Sequence, residues 1–233
     1  VSDDDLCFLT ANEALAGFRT RTLSPVDLMR AVIARVERVN PLLNAFTYTF
    51  FERALEKARR AETKYVKTDG QPRPLEGIPI AIKDFHPVKG EITTFGSKAF
   101  ADFRPNHTAP TVERLLRAGA IMHGRTTTPE SPSGTTYSKL WGVTRNPWNT
   151  NYSPGGSSGG AAAALATGMT MLADGTDAGG SIRIPASACG LIGYKPPFGR
   201  NPLDRDIPRE TILHYGPLTR AVGDAALMQN VTS

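Results

Sequence analysis

Cysteine is scarce in this chain: Cys7 and Cys189 are the two thiols among 233 residues. Two cysteines cannot build a disulfide framework or a cysteine metal centre, and a reducing, cytoplasmic location is the expectation. Long apolar runs are missing as well. None approaches the roughly 18 residues that cross a bilayer, so no membrane partner is expected. The acidic Asp3-Asp4-Asp5 is unlike the basic and then apolar opening of a secretory signal. Charge of one sign is only slightly in excess, with 27 basic against 22 acidic residues. The densest basic cluster, Lys57-Ala58-Arg59-Arg60, sits among Glu52, Glu56 and Glu62 as a mixed, solvated helix face. No nucleic-acid partner is expected. The 22 glycines and 18 prolines follow no collagen-like period, and no internal repeat is visible.

What is present reads as α/β, a mixed sheet covered by helices. Thr10-Ala11-Asn12-Glu13 has capping-box spacing, and Ser24-Pro25-Val26-Asp27 joins an N-cap to a first-turn proline. Leu28, Val32 and Val36 then repeat at helical spacing, and Asn40-Pro41 is expected to stop the run. A β-prone stretch at Ala45–Thr49 precedes a second amphipathic helix from Phe51 to Lys64, and a polar loop follows over residues 67–74. Ile78–Ile82 and Ala120–His123 are apolar runs without alternation, as buried strands are. Thr111–Ala118 reads as the helix between them. The expected organisation is one domain over 1–233, helical over 1–70 and carrying its chemical motifs over 71–233. A helix opens after Thr219, and Val222, Ala225, Leu227 and Val231 are expected to leave it an exposed apolar face. The chain is expected to be the N-terminal part of a longer protein. By itself it should be inactive or prone to associate unless a second polypeptide completes it.

The chemistry concentrates in two glycine-rich segments. Gly155-Gly156-Ser157-Ser158-Gly159-Gly160 runs into Ala161–Ala164, a loop before a helix whose N–H groups suit an anion. It lacks the Gly-Lys-Ser/Thr ending of a phosphate loop. It does fit Gly-x-Ser-x-Gly, the nucleophile elbow, but the preceding Asn149–Pro154 is turn-like where a strand belongs, and the triad histidine would have to be His214. In the second segment, Asp177-Ala178-Gly179-Gly180-Ser181-Ile182-Arg183, small residues let consecutive N–H groups face one way. Such donors can hold an oxyanion beside Ser181 as nucleophile. A serine nucleophile needs a base, and the strand at Ile78–Ile82 delivers Lys83, desolvated enough to lose its proton.

Gly77-Ile78-Pro79-Ile80-Ala81-Ile82-Lys83-Asp84, the Gly155–Gly160 run and Asp177–Pro185 together resemble the amidase signature family. Thr144-Arg145-Asn146-Pro147-Trp148 and Cys189–Pro196 are similar to it too. The resemblance implies an amide hydrolase with a Ser-Ser-Lys triad and an acyl-enzyme intermediate. It puts Ser181 at the nucleophile and Ser157 at the bridging serine, after a cis peptide bond from Gly156. Lys83 falls at the base, and the N–H groups of Ala178, Gly179 and Gly180 at the oxyanion hole. No metal or organic cofactor is implied, the partner is a small-molecule amide, and a homo-oligomer is left open.

Asp177 and Arg183 are expected to brace the nucleophile loop as an ion pair, and Ser158 to support it. His86, His107, His123 and His214 lack metal-ligand spacing. Of these, His86 is read as exposed or satisfied rather than lining a pocket. Cys189 reads as core. Ser131-Pro132-Ser133 departs from the apolar residue usual in the family after Thr126–Glu130. Two rivals stand beside a free-standing amidase: the glutaminase-like subunit of a transfer-RNA-dependent amidotransferase, and a non-catalytic fragment that keeps the fold.

Overall fold

Three capped helices precede the first strand in the computed structural model, which describes residues 2–67, 69–131, 133–204 and 211–233. Thr68 and Pro132, noted in the sequence, lie outside the described residues. Helix α1 (Asp3–Phe8) starts at Ser2, and α2 (Ala11–Thr20) starts at Thr10, whose hydroxyl accepts from the Glu13 N–H while Glu13 accepts from the Thr10 N–H. Helix α3 (Pro25–Leu43) is capped by Ser24 and buries Leu28, Met29, Val32, Ile33 and Val36. It does not stop at Asn40-Pro41 as expected. Pro41 lies in its last turn, and the helix ends where Asn44, left-handed at φ 54°, donates its N–H to the Asn40 carbonyl.

The remaining elements alternate. Strand β1 (Phe46–Thr49) leads to α4 (Phe51–Val66), which buries Ala54, Ala58, Ala61 and Tyr65 on one stripe. Strand β2 (Pro79–Lys83) is buried throughout, and α5 (Pro110–Arg117) links it to β3 (Ile121–Thr126). A small hairpin of β4 (Tyr137–Ser138) and β5 (Gly142–Val143) follows. Next come α6 (Gly159–Ala166), β6 (Leu172–Asp177), α7 (Arg183–Cys189), β7 (Ile192–Gly193), β8 (His214–Thr219) and α8 (Val222–Thr232).

Six strands form one mixed sheet in the order β1-β3-β2-β6-β8-β7. The inner three, β3, β2 and β6, are parallel, and antiparallel strands flank them on both sides. The fold is therefore α/β with a mixed sheet, as the sequence suggests. One apolar core runs from Leu15, Phe18 and Leu28 through Ile80 and Ile82 to Leu115 and Met228. Helix α8 is not the bare amphipathic face expected: Ala225 and Met228 are buried, and Leu227 and Val231 pack against that core. Val222 stays exposed. Among the described residues no helix is long and apolar enough to cross a membrane.

Candidate active site

Parallel strands present their carboxyl ends along one edge, where open α/β sheets bind ligands. Here that edge brings together Lys83 from β2, Thr126 from β3, paired with Lys83 in register, and Asp177 from β6. Lys83 is fully buried, and its Nζ donates to Ser157 Oγ at 2.7 Å and to Thr176 Oγ1 at 2.8 Å. Burial pulls the amine down to about 7 against the opposing charges of Asp174 and Asp177. The adjacent Asp84 carboxylate points away from the amine. It accepts from the Thr94 N–H and hydroxyl and lies 3.5 Å from Arg125 Nη2.

Ser157 sits between two close-packed segments. The peptide from Gly156 is cis, and a Cβ on Gly156 would come within 2.1 Å of the Gly134 carbonyl. Glycine is required there by contact. Helix α6 follows at once with Ala161, Ala162, Ala163 and Ala164 all fully buried, so small side chains let it lie tight against the sheet. No strand precedes Gly155 directly, since β5 ends at Val143. The His214 ring is occupied by the Ile212 carbonyl at 2.8 Å. Neither observation suits the nucleophile-elbow arrangement.

Ser181 lies on the turn between β6 and α7, organised around Asp177. That carboxylate accepts from the Gly180 N–H at 2.7 Å and from the N–H groups of Ile182 and Arg183. The Arg183 guanidinium closes on it with two bonds, at 2.9 and 3.0 Å. Burial opposes ionisation of Asp177, but Arg183 and the backbone donors outweigh it and hold the carboxyl at about 2. Of the three residues expected to supply oxyanion donors, Gly180 has its N–H engaged by Asp177. The N–H groups of Ala178, Gly179 and Ser181 have no acceptor among the described residues. The Ser158 N–H donates to the Ser181 carbonyl at 3.2 Å, and the Ser158 hydroxyl accepts from the Thr176 N–H at 3.4 Å, which ties the two glycine-rich segments together. Lys83 and Ser157 are thus in direct contact, whereas Ser181 is linked to them through the loop backbone.

A cleft of about 610 Å³ opens above these groups. Phe85, Ile184 and Leu213 give it apolar walls, and Thr176, Ala178, Gly179 and Ser181 form part of its lining. None of its described lining residues carries a charge. Cys189 is buried, and burial pushes its thiol up to about 12, as suits a core residue. His123 is buried against the Thr170 hydroxyl at 3.0 Å, and His107 lies 2.9 Å from Asp204. Among the described residues no group of three or more His, Cys, Asp or Glu side chains is gathered as a metal site requires.

Sequence reasoning missed Thr176, Asp174, His86 and Arg125 around the lysine. Gly and Asp are poor strand formers, so Leu172–Asp177 does not look like a strand. Once it is one, its period of two puts Asp174 and Thr176 on one face, toward Lys83. His86 is not exposed: it is buried 3.3 Å from Asp174 Oδ2 and against the Gly175 backbone, and neither contact reaches good hydrogen-bond geometry.

Comparison with known proteins gives one family. A family model described as Amidase matches residues 27–233. An acylamidase of Rhodococcus erythropolis is 41% identical over 99% of this chain and 49% of its own length. A glutamyl-tRNA(Gln) amidotransferase subunit from Chloroflexus aggregans is 40% identical over 97% of this chain and 47% of its own. A bacterial aryl acylamidase of the amidase signature enzymes superposes with a TM-score of 0.90 at 35% identity, covering 97% of this chain and 47% of that one. The chain spans about half the length of the relatives it matches.

Proposed function

The chain belongs to the amidase signature family, and on that premise we propose that it carries the catalytic groups of an amide hydrolase, with Ser181 as nucleophile, Ser157 as proton carrier and Lys83 as base. The observation that carries this is the buried contact between Lys83 Nζ and Ser157 Oγ at 2.7 Å. A lysine brought to about 7 by burial has a free amine near neutrality, which a general base needs. Lys83 takes the proton of Ser157 as Ser157 takes that of Ser181. Ser181 Oγ bonds to the amide carbon, and the carbonyl π pair moves to oxygen. The N–H groups of Ala178, Gly179 and Ser181 are the unengaged donors available to that oxyanion. Ser157 then gives its proton to the departing amine as the C–N bond breaks and takes one back from Lys83, which regenerates the neutral amine. Water, activated through the same relay, hydrolyses the acyl-enzyme.

The described cleft wall is uncharged, which suits a neutral amide. Free glutamine, the donor of the amidotransferase rival, brings an ammonium and a carboxylate, and relative turnover of a neutral acyl amide and of glutamine by the full-length protein distinguishes the two readings.

Labelling the full-length protein with a fluorophosphonate and locating the adduct by mass spectrometry tests the assignment. The phosphonyl group is expected on Ser181. An adduct on Ser157 would reverse the two serines.

A further inference from the structure

Strands β2 and β6 pair only at Ile80–Leu172 and Ala81–Ala173. Beyond that point β2 stays with β3 as far as Lys83–Thr126, while β6 continues against β8 to Asp177–His214. The next β2 donor facing β6 is the Lys83 N–H, and it is taken by a side chain, Asp174 Oδ1 at 2.7 Å. A carboxylate thus holds the lysine's backbone at the place where the two strands part.

The other oxygen of Asp174 faces His86 Nε2 at 3.3 Å, and both side chains are buried. Neither His86 ring nitrogen, nor Asp174 Oδ2, completes a hydrogen bond of good geometry among the described residues. Buried polar atoms are costly to leave unpaired, and one hydrogen shared between ring and carboxylate satisfies both. The charged groups facing the pair are Lys83 from β2 and Arg125 from β3. From β8 the Tyr215 ring meets the imidazole edge-on at 4.3 Å, and from β6 the Gly175 backbone approaches it. Phe85 packs edge-on as well, at 5.9 Å.

We propose that Asp174 and His86 are a positioning pair for Lys83: one carboxylate oxygen fixes the lysine backbone, and the other is held by the His86 ring. The pair has an electrostatic consequence. Burial weakens the Lys83 amine as a base, and the carboxylates of Asp174 and Asp177 restore part of its basicity, Asp174 in its ionised form, which burial opposes by raising that carboxyl to about 7. Removing that negative charge should move the ascending limb of the activity profile to lower pH, because the lysine then loses its proton more readily.

The proposal rests on Lys83 being the base, and the test separates the two claims. In the full-length protein, Asp174→Asn keeps an oxygen for the Lys83 N–H but removes the charge. Its kcat/KM limb should shift acid-ward by about half a pH unit or more, with KM changed by less than about twofold. Asp174→Ala, which loses the backbone bond too, should lower kcat by roughly tenfold or more. His86→Gln, with an amide N–H able to reach the carboxylate, should retain more turnover than His86→Leu. Lys83→Ala run beside them reports on the base itself. A retained limb in Lys83→Ala sinks the catalytic assignment. Loss of turnover in Lys83→Ala with an unmoved limb in Asp174→Asn sinks only the positioning pair. Asp174→Asn is nearly isosteric, so the limb is measurable even if Asp174→Ala does not fold.

Discussion

Lys83 reaches Ser157 from the end of a strand that leaves its amine no water, and burial brings it to about 7 while Asp174 and Asp177 pull the other way. An unperturbed lysine, at about 10.4, would hold its proton across the neutral range. Below about 7 the amine is charged and cannot accept a proton from Ser157, and above it the free base accumulates. Activity should therefore rise with pH through the neutral range, which a kcat/KM profile measures. Lys83→Ala should cost on the order of 10²–10⁴-fold, the usual contribution of a general base. Lys83→Arg should not rescue it, because guanidinium stays protonated. Near-normal turnover with the same limb in Lys83→Ala would make the lysine structural. The three proposed catalytic residues are legible in the sequence because each lies in a dense local motif. Asp174, Thr176 and Arg125 are not, because their proximity to Lys83 comes from the pairing of β2, β3 and β6, and His86, though three residues from Lys83, meets Asp174 only once β6 lies beside β2. Even for Asp84, the neighbour of Lys83, only the folded chain reveals the turn toward Thr94 and Arg125.

Helix α6 contradicts ordinary helix chemistry at its first turn, with Gly159 and Gly160 where stronger helix formers would serve. In an open helix, Gly→Ala gains about 1 kcal/mol. A Cβ on Gly160 would lie 2.3 Å from Thr127 Oγ1, 2.5 Å from the Thr127 nitrogen and 2.7 Å from the Ala45 carbonyl oxygen. Gly160→Ala should therefore destabilise by about 1–3 kcal/mol, the range for overpacking. Denaturant unfolding checks this, and a variant more stable than the parent would refute the close-packing account. The helices with caps and apolar stripes, α2, α3 and α4, were readable because their signals are local. Strand β8 was not, since Gly216 and Pro217 in His214–Thr219 demote it by propensity while its pairing with β6 overrides them.

At the largest scale, helices α2 and α8 are fastened to each other across the fold. Asp224 in the first turn of α8 accepts from the Ala11 N–H at 2.9 Å, from the Asn12 N–H at 3.1 Å and from Asn12 Nδ2 at 2.9 Å. It is a buried anion placed at the start of two helices, α2 and its own, where both helix dipoles favour it. Arg220 adds a second tie, with Nη2 donating to the carbonyls of Cys7 and Leu9 and Nη1 to those of Leu165 and Thr170. Asp224→Ala removes charge-assisted bonds and should cost roughly 2 kcal/mol. In a domain of this size that lowers Tm by about 4–8 °C, measurable by thermal unfolding. An unchanged Tm would mean that water replaces the carboxylate at no cost.

The same fastening bears on how the protein is made. Ala11 leaves the ribosome 213 residues ahead of the carboxylate that caps it. At about 5–20 residues per second, that separation is about 10–40 s of synthesis. Throughout it α2 has no Asp224 at its amino end, and Met228 is not yet present to share the core of Leu15 and Phe18. In a nascent chain stalled before Gly223 the Ala11 and Asn12 N–H groups should therefore exchange with solvent, whereas a chain extended through α8 protects them.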